Sequence, residues 1–190
     1  MVFTCLTTWG TGRRLVKAQM AEDSMPLDRF IKSAANSIRR VQGTAVFLSS
    51  TQEGTPPALL HNVKHNKVLH ERIVIATVAI AKIPHVPLED RVEQTSPVDG
   101  VHQITLRYGF MDDIDVPETL RCCVAWDPPL NVMHTSFFLG RQTLIPSSRP
   151  GMALWREKLF ALMVRNAESA MDFFKLPPNR VVELGSQVEI

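Results

Sequence analysis

Apolar residues along this chain alternate between helical and strand-like spacing, and that alternation predicts an α/β fold. In "MPLDRFIKSAANSIRRVQG", Leu27, Phe30, Ile31, Ala34 and Ile38 recur at helical spacing, with Pro26 in a first turn and Gly43 as the stop. "TAVFLSS" (Thr44–Ser50) is a short β-branched apolar run and predicts a buried strand. After the loop "TQEGT", Pro56 and Pro57 start a second helix that runs to about Asn66. "RIVIATVAI" (Arg72–Ile80) is continuously apolar and rich in Val and Ile, as in a strand covered on both faces. The first third thus reads helix, strand, helix, strand, and the two strands are expected to pair in parallel across the intervening helix.

Beyond Pro84 the pattern changes. "RVEQTS" and "VHQITLRYGF" flank "PVDG", which predicts two antiparallel strands around a turn. "DVPETLRCCVAW" predicts a helix with Asp115 near its start, and "HTSFFLG" another strand. "RPGMALWREKLFALMVRNAESAMDFF" shows the clearest helical period. Its stripe is Leu154, Leu159, Leu162, Met163, Ala167, Ala170 and Met171, with Arg156, Glu157, Lys158, Arg165 and Glu168 largely off it. "RVVELGSQVEI" closes the chain as an apolar, strand-like run. The expected fold class is α/β: a mixed, largely parallel sheet with flanking helices and a β-hairpin insertion.

Composition adds little until charge is resolved by position. The 190 residues bound one domain, or one with a tail. The net charge of +2 splits into +3 over residues 1–20, from Arg13, Arg14 and Lys17 without any acid, and −1 over the remainder. A nearly neutral body argues against a nucleic-acid partner, which calls for a basic face. Three cysteines, Cys5 and the adjacent Cys122 and Cys123, have no C-x-x-C spacing, and unpaired thiols in a reducing environment are expected. The N-terminal "MVFTCLTTWGTGRRLVKAQ" runs apolar to Trp9 and then basic. That order is the reverse of a secretory signal, and the apolar part is too short to cross a bilayer. Two readings fit it equally: a helix leaving the membrane on its cytoplasmic side, or a short buried element followed by a basic loop.

The densest polar chemistry lies in "LLHNVKHNKVLHER" (Leu59–Arg72), with three histidines, two asparagines and two lysines. On a helix, His61 and His65 share a face at the spacing zinc enzymes use. However, Asn62 stands where their glutamate would be, and Lys64 and Lys67 oppose a bound cation. On a continuing helix His70 would face away from His61. No metal or other cofactor is expected, and the plain alternative is a hydrogen-bonded structural seam. A helix start directly after strand Thr44–Ser50 would also suit an anion, although no G-x-G-x-x-G or P-loop is present. No G-x-S-x-G occurs, and no cysteine stands in a catalytic context, so no enzyme activity is expected. Asp112, Asp113 and Asp115 lack the completion of an EF-hand and suit an exposed turn or a helix cap.

Taken together, "GTAVFLSS", "GTPPALLHNVKHNKVLHERIV", "RYGFMDDIDVPETL", "TSFFLGRQTLIPSSRPGMALWREKLFALMVRNA" and "FFKLPPNRVVELGSQVEI" resemble the C-terminal cytoplasmic domain of bacterial Kup-family potassium uptake transporters. "TTWGTGRRLV" resembles the junction where the last membrane helix of those transporters enters the cytoplasm. The resemblance implies three segments: residues 1–16 as the end of that helix with its basic flank, 17–42 as a linker helix, and 43–190 as the cytoplasmic domain. It further implies a regulatory and assembly role in proton-coupled potassium uptake at the inner membrane. The partners implied are the membrane domain, which this sequence lacks, and a second copy in a homodimer. For related transporters the tail also implies a nucleotide effector such as cyclic di-AMP. A nucleotide would be sought at Ser49, Ser50, Thr55, His61 and Lys64, with Arg141 and Arg149 adding positive charge.

Overall fold

A computed structural model describes residues 2–22, 25–35, 38–51, 54–98, 100–145, 151–167 and 169–189. Its elements, in chain order, are α1 (Val2–Glu22), α2 (Leu27–Ala35), β1 (Arg39–Ser49), α3 (Pro57–Asn66), β2 (Val68–Ala81), β3 (Val92–Val98), β4 (Val101–Gly109), α4 (Val116–Cys123), β5 (Thr135–Ile145), α5 (Leu154–Arg165), α6 (Ala170–Phe173) and β6 (Val181–Glu189). They divide into two compact units. One holds Met1–Ser24, Arg141–Glu168 and Gly185–Ile190; the other holds Met25–Gly140 and Ser169–Leu184.

The larger unit is built on a sheet of order β3-β4-β2-β1-β5-β6. β1 runs parallel to β2 and β5, β2 runs parallel to β4, and β3 pairs antiparallel with β4. The α/β expectation and its hairpin are met. Alternate residues of each strand face opposite sides, so one sheet buries two cores. Val46, Val74, Leu106, Tyr108 and Phe137 pack on one side with Val116 and Leu120 of α4. Ala45, Phe47, Ile73, Ile75 and Phe138 pack on the other with Phe30 of α2 and Leu59 of α3.

Three boundaries differ from the sequence reading. The helix expected through Gln42 ends at Ala35, and Arg39–Val41 instead form strand, paired with Val68–His70. Backbone pairing with β2 outweighs the local helical period. Gly43, at φ +108°, takes up the irregularity between Val41 and Thr44. β2 begins at Val68 rather than Arg72, so His70 lies on a strand. The long helix expected up to Phe174 is two: α5 stops at Arg165, and α6 starts after the Ser169 hydroxyl accepts from the Met171 N–H. Its apolar stripe is also rotated from expectation. Leu154 and Leu162 are exposed, whereas Glu157 and Phe160 are buried.

The smaller unit pairs α1 with α5. Trp9 meets Phe160 edge-to-face at 5.7 Å, and Arg156 donates from Nε to the Thr8 hydroxyl at 3.0 Å. α1 continues as helix straight through Gly10 and Gly12 into the basic cluster. Among the described residues, no helix is long and apolar enough to cross a membrane.

Candidate functional site

The polar stretch Leu59–Arg72 resolves into a helix end, a turn and a strand start. The side chain of Asn62, 1% exposed, donates to the Val68 carbonyl at 3.1 Å and accepts from Asn66 at 2.8 Å. Lys67 ends α3 in the left-handed conformation at φ 56°, its N–H returning to the Val63 carbonyl. His61 and His65 stack in parallel, ring centres 6.0 Å apart. His70 instead turns its ring edge to Phe138, and burial lowers its pKa. Arg72 donates to the carbonyls of Asp127 and Pro128 and lies over the Trp126 ring. Among the described residues, no three His, Cys, Asp or Glu side chains converge on a point.

The carboxyl end of β1 carries the residues proposed for an anion. Ser49 donates to the Thr51 carbonyl at 2.8 Å and accepts the Thr51 N–H, and Ser50 is exposed. Thr55 is buried, and both its N–H and its hydroxyl donate to the Met25 carbonyl, at 2.8 and 2.9 Å. These bonds tie the loop to the chain ahead of α2 and engage both Thr55 donors. Pro56 caps α3 and Pro57 opens it, and neither has an N–H, so the helix start offers fewer donors than usual. His61 and Lys64 share a face of α3, with Lys64 exposed. Arg141 is exposed and belongs to the smaller unit, and Arg149 lies outside the described residues.

Strand register reveals a polar row that residue spacing alone does not show. Ser49 on β1 aligns with Thr77 on β2, Thr77 with Thr105 on β4, and Thr105 with Glu93 on β3. One row back, Phe47, Ile75, Gln103 and Thr95 align in the same way. All share the face that Phe47 and Ile75 turn toward α2 and α3. Between β2, β4 and β3 this face is open as a groove of about 140 Å³, lined by Thr77, Glu93, Thr95, Gln103 and Thr105. Thr77 donates to the Thr51 carbonyl at 3.3 Å, which joins the groove to the β1 loop. Ser49 ends β1, whereas Thr77 and Thr105 lie within β2 and β4, so the row crosses the sheet from the carboxyl end of β1 to the middle of β4. The only prior sign was a polar residue at every second position of "VHQITLR", and its meaning depends on which strand lies alongside.

The aspartates act as caps and ties. Asp112 accepts from the Val86 and Gly109 N–H groups at 3.0 and 2.7 Å, and also meets His85 and Arg91. Those backbone donors, above all, hold its carboxyl far below the usual carboxylate range. Asp115 caps α4 by accepting from the Glu118 N–H, and Asp113 pairs with Lys175. Glu118 is lowered to about 2, chiefly by its hydrogen bonds from Arg121. Cys5, Cys122 and Cys123 are all unpaired.

A family model described as "K+ potassium transporter C-terminal domain" matches residues 42–190. The chain is 58% identical over 189 residues to a probable potassium transport system protein Kup 1 of Novosphingobium aromaticivorans, covering 100% of this chain and 29% of that relative. It is 58% identical over 190 residues to a Kup 2 protein of Rhizorhabdus wittichii, covering 100% and 30% respectively. Against a Kup protein of Zymomonas mobilis the identity is 53% over 190 residues, covering 100% and 29%. The chain therefore spans about 30% of the length of the curated relatives it matches. No solved structure matches it.

Proposed function

Because the chain belongs to the K+ potassium transporter C-terminal domain family, we propose that it is the regulatory and assembly domain of a proton-coupled potassium uptake transporter. It stands on the cytoplasmic face of the inner membrane, joined to a membrane domain that carries the ion path, and it has no catalysis of its own. The observation that carries this reading is the match of its whole length to less than a third of each Kup-named relative. The two cores that the sheet buries are consistent with a binding and assembly role. The test is a chimera in which this chain replaces the matching segment of the Novosphingobium relative. It should restore growth at low potassium to cells lacking potassium uptake. Failure of a chimera that reaches the membrane would refute the reading.

A second reading, a module that senses an anionic nucleotide such as cyclic di-AMP, is supported by the open polar row beside the β1 loop. Ser49, Ser50, Thr55, His61 and Lys64 lie along that loop and the helix after it; Arg141 and Arg149 are the cations proposed to add to them. Calorimetry of the chain with cyclic di-AMP and with ATP decides it. Binding that weakens in Lys64→Ala supports the module, and no heat at millimolar ligand ends it.

A further inference from the structure

α5 is half-immersed in its own unit, and the composition of its outer face is one-sided. Leu154, Trp155, Lys158, Leu162 and Arg165 are exposed, with Trp155 at 59% and Leu162 at 57%. At 100° per residue these five fall within one sector of about 100°. That sector carries two cations and three large apolar side chains, and no carboxylate. The acid of the helix, Glu157, turns inward and is fully buried.

The position of α5 along α1 adds a second observation. Trp9 and Gly12 meet Phe160, and Thr8 meets Arg156. These α1 residues mark the place where the helix changes character. Val2, Phe3 and Leu6 before them are exposed apolar residues, at 74%, 78% and 67%, and Arg13, Arg14 and Lys17 after them are exposed cations. An apolar end, then Trp, then a basic cluster is the order found at a membrane–water boundary. α5 is therefore held alongside the part of α1 where apolar residues give way to cations.

We propose that the outer face of α5 is an interfacial surface that docks on an anionic phospholipid bilayer. Trp155, Leu154 and Leu162 enter the headgroup layer, while Lys158 and Arg165 lie against lipid phosphates. The chemistry is complementary: apolar area supplies partitioning, and the exposed cations Lys158 and Arg165 supply attraction to negative headgroups. The proposal rests on the membrane-transporter reading for its setting, but its test does not depend on transport.

The test is co-sedimentation of the full chain with vesicles of phosphatidylcholine alone, or of phosphatidylcholine mixed with phosphatidylglycerol. The chain should bind the anionic vesicles and release them as salt rises. Lys158→Glu with Arg165→Glu should lower partitioning by about tenfold or more. Lys158→Gln with Arg165→Gln should give a smaller loss in the same direction. All five side chains are exposed, so circular dichroism should stay unchanged. If the charge-reversal variant is misfolded, the glutamine variant decides. Trp155→Phe should remove most of the quenching that brominated lipid chains produce. Binding that survives both α5 variants but is lost in Arg13→Glu with Arg14→Glu would overturn the α5 surface and leave the transporter reading intact. Equal binding to neutral vesicles, or no binding, would also overturn it.

Discussion

The side-chain amide of Asn62 donates to the carbonyl of Val68 at 3.1 Å, locking the end of α3 to the first residue of β2. Asn62 is buried and Val68 half-buried, so truncating the amide removes this donor from the carbonyl and leaves a gap under α3. Asn62→Ala should lower unfolding stability by about 1–3 kcal/mol, read from the urea midpoint. His61→Ala, on the more exposed face of the same helix, should change it by less than about 0.5 kcal/mol.

Two glycines of α1 should respond in opposite directions to the same substitution. A methyl group at position 12 would come within 2.5 Å of the Phe160 ring, whereas at position 10 nothing lies within 4 Å. Gly12→Ala should destabilise the α1–α5 pair by about 1–3 kcal/mol through overpacking. Gly10→Ala should stabilise α1 by about 0.5–1 kcal/mol through helix propensity. Hydrogen exchange of the α1 amides reads both signs, and equal effects would show that α1 does not pack on α5 in this register.

Phe160, rather than the leucines around it, anchors α5. Phe160→Ala should cost about 3–5 kcal/mol in thermal or urea unfolding. Leu154→Ala and Leu162→Ala, at exposed positions, should stay within about 0.5 kcal/mol. Leu159→Asp, at a half-buried position, should fall between the two.

Acid should destabilise the larger unit in two separable ranges. Burial lowers the pKa of His70, so the unfolded chain binds its proton more readily. The stability this group contributes is complete above about pH 6.5 and is lost as the pH falls through its lowered folded value. His70→Phe should flatten that upper range of the stability profile. Asp112 is held far below the usual carboxylate range by the Val86 and Gly109 N–H groups, so its contribution is present above about pH 4 and is lost below it. Asp112→Asn should flatten the lower range alone. Chemical unfolding across pH 3–8 checks both, and a profile unchanged in either variant would contradict its assignment.

The alternation of apolar periods was enough to place β1, α3, β2, the hairpin and β5, because a strand covered on both faces leaves a continuous Val- and Ile-rich run such as Arg72–Ile80. Asp115 could also be read as a helix cap, since capping is decided within one turn. The parallel pairing of β1 with β2 and the hairpin could be read as well, but register and side-chain packing could not. Arg39–Val41 carry a helical period yet pair with Val68–His70, because backbone bonds to β2 outweigh local propensity. The α5 stripe looked like a core face, but α1 packs on Phe160, and Glu157 is buried in place of Leu154 and Leu162. The polar row from Ser49 to Glu93 crosses four strands, and no spacing within one strand announces it. Local chemistry along the chain determines which elements form. The register and packing of those elements determine which side chains meet, and only the tertiary structure decides that.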